Sequence, residues 1–382
     1  MKELSINEKK CLYFLINNDL LGNASIRKLK GIFGSYEQIY ISDPVRIAPH
    51  ISEAAFEKYK FEHAHRDIHA DYEKLIRKGI SLIAFEEDRF PEKLRTIPNP
   101  PVAILVNGSL PNPGVPSVAI IGARKNSAYG GYMAREFSKQ ISSKGIQVIS
   151  GMATGIDGIA GETALRSGGK SFAVLGCGPD VCYPQSNRTL FDNLISQGGI
   201  ISEYALGTSG VKWHFPLRNR IISGLSDAVL IIEAKEKSGT LITADCALEQ
   251  GRDVYALPGR ICDDLSIGCN WLIRQGAFIL TSPEEFIDDF IRDLSGRPDY
   301  SGYLKSRSST TVRQGKKQVT FSCAEEKVIY DVLDFTPQSL DEICEAVNKI
   351  MPMPLVLIMQ RLTNMCVSGI IENIGGTCYR RR

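Results

Sequence analysis

The chain has 382 residues, 43% hydrophobic and 23% charged, a balance that excludes a disordered or fibrous protein. Lys and Arg number 45 against 43 Asp and Glu, a formal charge of +2, so bulk charge selects no partner and any polyanion site must come from local clustering. The length accommodates roughly two to four domains, and no uninterrupted apolar run reaches the roughly 20 residues of a membrane helix.

The opening MKELSINEKK leads into CLYFLINNDL, where Asn17, Asn18 and Asp19 close the apolar stretch without a small-residue cleavage site; no signal peptide is expected. The ten cysteines form no CxxC and no metal or disulfide framework. Cys11, Cys246, Cys344 and Cys366 sit among apolar residues, which reads as buried thiols in a reducing cytoplasm.

Residues 1–78 read as a module of short helices. Leu12, Leu15 and Ile16 recur at helical spacing, and Ile26, Leu29, Ile32 and Phe33 do so around Gly31 and Gly34. A helix stopped by glycine before a second short helix is the pattern of SAM-like and helix–hairpin–helix modules. Residues 79–294 form the expected main domain. It starts with ISLIAF and then FPEKLRTIPNPPVAILVNGSLP, which read as two strands separated by a proline-rich connection. Short Val/Ile-rich runs follow at Val118–Ile121, Val148–Ser150, Phe172–Gly176, Ala228–Ile232 and Asp253–Leu257, separated by helical stretches. Strands without alternation are buried on both faces, so this pattern predicts an α/β fold with a doubly wound parallel sheet, whose ligands bind at the carboxyl ends of the strands.

Residues 295–318, rich in Ser, Gly and Thr, read as a linker. Residues 319–382 carry two helical patterns, Leu340/Ile343/Cys344/Val347 and Leu355/Ile358/Met359/Leu362, then two short strands about Gly375-Gly376, the layout of a winged helix. This last unit has eight acids against six bases, and its third helix, PLVLIMQRLTNM, has Arg361 as its one basic residue; a protein-contact role is expected in preference to sequence-specific DNA reading.

The loop edge of the main sheet gathers the candidate site. IIGARKNSAYG places Arg124 and Lys125 beside a helix start that Ser127 can cap, a receptor for phosphate. SGMATGIDGIAG supplies Gly151 and Gly155 for close backbone approach, with Asp157 to order the loop. FPLRNRIISGLS supplies Arg218, Asn219 and Arg220; one arginine is expected in a structural network and the other facing ligand. EAKEKSGTLITA brings Lys235, Lys237 and the helix-opening Ser238, Gly239 and Thr240. Tyr129, Tyr183, Trp213 and Phe215 are candidate stacking groups. GxGxxG and GxxxxGK[ST] are absent, and neither Glu233 nor the five histidines complete a catalytic constellation, so no catalytic residue is assigned. His65 and His69, read as i, i+4 on one helix, could bind a metal, but only nearby acids offer a third ligand and a solvated helix face is expected instead. No metal and no cofactor are expected.

Taken in order, IIGARKNSAYG, SGMATGIDGIAGETAL, VLGCGPDVCYP, ISEYALG, FPLRNRIISGLS, EAKEKSGTLITADCA, VYALPG and GCNWLIRQGA resemble the DNA-processing protein A (DprA, or Smf) family over about residues 79–290. The resemblance implies an extended Rossmann fold that binds single-stranded DNA without sequence preference as a homodimer. It also implies protection of incoming strands in natural transformation and loading of the RecA recombinase onto them. By motif it carries over Arg124, Arg218, Arg220 and either Lys235 or Lys237 as DNA-binding positions. The histidine common after the alanine in the family's GID motif is replaced by Gly161. Two other readings compete. A phosphoribohydrolase of the lysine-decarboxylase-like type would show PGGxGT-x-x-E, whereas the turn here is KSGTLITA. An interaction scaffold would use the basic edge to bind acidic protein.

Overall fold

The computed structural model describes residues 2–308, 321–334, 337–374 and 377–381. The chain divides into two units, Met1–Asn126 with Ala134–Leu304, and Ser127–Met133 with Lys305–Arg382. In the first unit nine strands form one sheet: β1 (Ile80–Ala84), β2 (Ala103–Gly108), β3 (Ser117–Ile121), β4 (Gln147–Ser150), β5 (Ser171–Leu175), β6 (Gly199–Ser202), β7 (Ala228–Ile231), β8 (Asp253–Ala256) and β9 (Phe278–Ile279). Their order is β1-β2-β6-β5-β4-β3-β7-β8-β9. β3 to β9 pair in parallel with their neighbours, while β2 joins β6 and β1 antiparallel. β6 and β9 are additions to the strands expected from the sequence.

The doubly wound arrangement follows from the strands' composition. Every residue of β3, β4, β5 and β7 is buried, as continuous Val/Ile runs require when helices cover both faces. Each fully buried Val, Leu or Ile side chain contributes roughly 1.5–3 kcal/mol. From β3 the chain winds through β4, β5 and β6 to one side, then returns to β7 on the other side of β3. The order therefore reverses between β3 and β7, the position at which sheets of this kind bind ligands beyond the carboxyl ends of their strands.

The N-terminal helices are Ile6–Asn17, Asn23–Phe33, Tyr36–Ile41, Glu53–His65 and Ile68–Arg77. They share a core with the sheet. In β2, Ala103 and Leu105 pack with Leu12, Leu29 and Tyr59, whereas Ile104 and Val106 turn to the other face and join Ile121 and Val174. The expected His65/His69 helix face is corrected: His65 ends one helix, and His69 lies in the next. Asp67 separates them by accepting from the His69 and Ala70 amides at 2.8 and 3.1 Å, which caps the second helix.

The described part of the expected linker contains regular structure. Pro298–Tyr300 is a single 3-10 turn and Ser301–Ser308 a helix. The Tyr300 hydroxyl donates to Asp227 Oδ1 at 2.7 Å and that of Tyr303 to the Lys144 carbonyl at 2.8 Å. Two buried tyrosines thus hold a stretch whose serine-rich composition reads as linker; residues 309–318 lie outside the described residues.

In the second unit, helices Ala324–Val332, Leu340–Ile350 and Leu355–Val367 pack through Ile329, Ile343, Val347, Ile358 and Leu362. β10 (Gln338–Ser339), β11 (Ile371–Ile374) and β12 (Cys378–Arg381) form a small antiparallel sheet in the order β10-β12-β11. Ser339 and Glu342 make a capping box at the second helix. Three helices and a hairpin match the winged-helix expectation; Gly375 and Gly376 lie outside the described residues.

Candidate nucleic-acid interface

Two loops leave the sheet at the point where its order reverses. The loop after β3 carries Arg124 and Lys125, and the loop after β7 carries Lys235 and Lys237; all four side chains are exposed. β3 and β7 are adjacent parallel strands, with Ile121 opposite Ile231, so both loops rise from the same edge. Among the described residues no ion pair holds Arg124, Lys125 or Lys237, while Lys235 approaches Asp264 at 3.9 Å with both side chains largely exposed. Such a contact is too solvated to neutralise the lysine. Ser238 caps the helix Gly239–Glu249 by accepting from the Thr240 amide at 3.1 Å. The remaining first-turn amides and the two lysines give this helix start the character of an anion receptor.

Ser127 belongs to the second unit, where its hydroxyl accepts from the Gly130 amide at 3.0 Å, the expected cap of the helix Ala128–Ser143.

The FPLRNR segment forms the helix His214–Gly224, and its polar residues face inward. Arg218 is 5% exposed; its guanidinium donates to the Gly151 carbonyl at 3.0 Å and to the Val174 carbonyl, tying the ends of β4 and β5. Asn219 donates to the Gly239 carbonyl at 3.2 Å and so fixes the Ser-Gly-Thr turn. Arg220 makes a two-pronged pair with Glu203 at 2.6 and 2.7 Å and donates to the Asn99 carbonyl at 3.1 Å. The expectation that one of the two arginines faces ligand is therefore corrected. Both are held inside the fold, Arg218 by backbone carbonyls and Arg220 by a carboxylate.

Asp157 completes this interior. It is buried and accepts from the Gly122 amide at 3.3 Å and the Gly151 amide at 3.0 Å, fastening the exits of β3 and β4. Burial pushes its carboxyl above the usual range, opposed by the Arg218 charge and these two amides. Burial likewise lowers the Arg218 guanidinium to about 10, opposed by Asp157, so it stays cationic at neutral pH. Both groups press on Gly151, where a Cβ would meet Arg218 Nη2 at 2.6 Å and Asp157 Oδ2 at 2.7 Å. Gly155 has φ +79°, and a Cβ there would meet the Ala123 carbonyl oxygen at 2.2 Å, so the second loop lies directly on the first. The two glycines serve close packing of the loops. Gly161 is buried in the helix Ile156–Arg166, where a Cβ would meet Ser171 Oγ at 3.4 Å.

Sequence reading assigns Arg124 to the edge without its neighbour. Its guanidinium lies over the Phe215 ring, 5.3 Å from the centroid, and the Tyr183 ring packs on Phe215 at 5.4 Å. Tyr183 is 42% and Trp213 54% exposed, and Lys212 beside Trp213 is exposed too. Lys212 carries no signal in the sequence, because nothing in VKWHF distinguishes it from an ordinary surface lysine. The arrangement is a cationic loop edge with aromatic surface beside Arg124, suited to phosphate and planar groups together. Among the described residues no group of three or more His, Cys, Asp or Glu side chains is placed to hold a metal ion.

The model of the family described as DNA recombination-mediator protein A matches residues 81–291, more than half of the chain. The chain belongs to that family. Its relatives in the DNA recombination-mediator protein A family include Protein Smf of Escherichia coli, 42% identical over 57% of this chain and 59% of that one. DNA processing protein DprA of Streptococcus pneumoniae is 41% identical over 53% of this chain and 72% of its own length. This chain thus spans less than two thirds of Smf. The X-ray structure of the pneumococcal DprA superposes with a TM-score of 0.64 at 35% identity, covering 75% of this chain and 98% of that chain. DNA processing protein A from Helicobacter pylori, whose structure is described for its unique single-stranded DNA binding mode, gives 0.52 at 28% identity, covering 56% of this chain and 96% of its own.

Proposed function

We propose that this chain binds single-stranded DNA without sequence preference along the crevice between β3 and β7. We further propose that it protects the strand and delivers it to the RecA recombinase during recombination and natural transformation. The observation that carries the reading is the set of exposed cations, Arg124, Lys125, Lys235 and Lys237, on the two loops at the reversal of strand order, beside the Ser238-capped helix start. Phosphates along a strand meet separate cations, which gives affinity but no sequence information. Tyr183 and Trp213, both exposed, offer faces on which any base can stack, worth roughly 1–3 kcal/mol per base. The single-stranded DNA binding mode described for the Helicobacter pylori relative supports the same reading. So does the family's description as a recombination mediator, with which the proposed RecA step is consistent; a homodimeric assembly is proposed alongside it.

The buried network of Arg218, Asn219, Arg220 and Asp157 holds the loops and contributes no nucleophile, so the proposal is binding without turnover. Fluorescence anisotropy with oligo(dT), oligo(dA) and mixed 30-mers tests it: similar affinities are expected throughout. Preference for one sequence contradicts the phosphate reading. Release of free base from nucleoside monophosphates by the purified protein transfers the site to the phosphoribohydrolase class.

A further inference from the structure

The ISEYALG motif runs off the end of β6 and supplies none of the exposed cations. Its residues nevertheless touch both ends of the FPLRNR helix and the N-terminal helices. Glu203 takes the two-pronged bond from Arg220, and both side chains are only 13% exposed. The same carboxylate accepts from Asn23 Nδ2 at 3.0 Å, and Asn23 Oδ1 accepts from the Val102 amide at 2.9 Å. Tyr204 stacks on His214, ring centroids 4.0 Å apart, at the start of the FPLRNR helix. Ala205 is buried in the core of the N-terminal helices. The Leu206 amide donates to the Tyr13 hydroxyl at 3.3 Å, and the Gly207 amide donates to Asp180, which pairs with Lys78 at 2.7 Å. Glu203 thus bonds both the FPLRNR helix and the N-terminal helices, Tyr204 packs on the helix start, and Ala205 to Gly207 run along the N-terminal side.

We propose that Glu203–Gly207 is a positioning strap that sets the FPLRNR helix against the N-terminal helices, making the DNA crevice dependent on that module. The inference rests on the single-strand reading above. The mechanical route is short. The FPLRNR helix carries Phe215 under Arg124, Arg218 on the β4 and β5 exits, and Asn219 on the Ser-Gly-Thr turn. A small shift of this helix moves all these loops at once. Glu203 touches no proposed DNA contact itself; it acts through Arg220. Because coupling is reciprocal, a partner that reorients the N-terminal helices changes the grip on DNA, and bound DNA changes the affinity for that partner.

The test uses full-length protein carrying Trp271→Phe, which leaves Trp213, next to the FPLRNR helix, as the single tryptophan. Tyr13→Phe, Asn23→Ala, Glu203→Gln and Glu203→Asp are added one at a time. Oligo(dT) affinity, corrected for folded fraction, and iodide quenching of Trp213 are read for each. The strap predicts about a fivefold or greater loss of affinity for Asn23→Ala and Glu203→Gln, altered Trp213 quenching without DNA, and partial recovery with Glu203→Asp. Tyr13→Phe removes one hydroxyl and is expected to move both readouts in the same direction by less, so the proposal stays testable if a Glu203 variant does not fold. Wild-type affinity in the folded variants, or lost affinity with Trp213 quenching unchanged, overturns it. If the parent protein fails to bind oligo(dT), the crevice reading fails instead, and Trp213 quenching alone then decides the strap: altered supports it, unaltered overturns it.

Discussion

Arg124 and Arg218 carry the same charge in opposite surroundings, and their substitutions are expected to diverge. Arg124 is exposed, so Arg124→Ala should leave the unfolding midpoint nearly unchanged and weaken single-strand binding for every base composition alike. Arg218 is enclosed and its charge offsets that of Asp157. Arg218→Ala strands the Asp157 carboxylate and two carbonyls, and should cost roughly 3–5 kcal/mol in a denaturant titration. Lysine should recover little, since an ammonium cannot reproduce the forked geometry. The motif GARKN places Arg124 on a loop, and its exposure follows. The RNR motif does not reveal that both of its arginines turn inward, because their partners, the Gly151 and Val174 carbonyls and Glu203, lie far away in sequence.

At the scale of elements, the helix His214–Gly224 joins the loops of the site. His214 is 3% exposed, its Nδ1 bonds the Gly176 carbonyl at 3.0 Å, and burial lowers it from the ordinary value of 6.5. A lowered native value means that the unfolded state takes up protons first. Stability is therefore full above pH 6.5 and declines as pH falls toward the native value. His214→Phe, which keeps an aromatic ring against Tyr204, should flatten that slope between pH 7 and about 5; an unchanged slope places the titration elsewhere. Gly151→Ala should disrupt the exits of β3 and β4 together, because the new methyl group lands on Arg218 and Asp157; thermal unfolding is expected to report it as a large loss. The strands β3, β4, β5, β7 and β8 are legible as Val/Ile runs. β6, with the sequence GIIS, is short and flanked by glycine, and it becomes visible through its pairing with β5 and β2. β9 has two residues, too few for any periodic signal.

At the scale of the whole molecule, the reversal of strand order between β3 and β7 joins two loops that are about 110 residues apart in the sequence into one basic crevice. The alternation of short buried strands with helices makes the sheet readable. Which strands become neighbours depends on handedness and long-range pairing, which local patterns do not encode. The third helix of the second unit has Leu355, Val356 and Met359 exposed and Arg361 within 4.0 Å of Glu325, a poor surface for a phosphate backbone. Deleting the residues after Gln318 should therefore leave most of the single-strand affinity intact; a folded truncate that no longer binds reassigns that affinity to the second unit.

The central claim is that exposed cations at this crevice grip the sugar–phosphate chain of unpaired DNA. A salt titration of oligo(dT) and duplex binding, for the wild type and Arg124→Ala in parallel, tests it most directly. Tighter binding of the single strand is expected, with a linear fall of log affinity with log salt and a slope shallower by about 0.7 in the variant for one lost phosphate contact. A salt-independent affinity, or a variant with the same slope and affinity as the wild type, contradicts it.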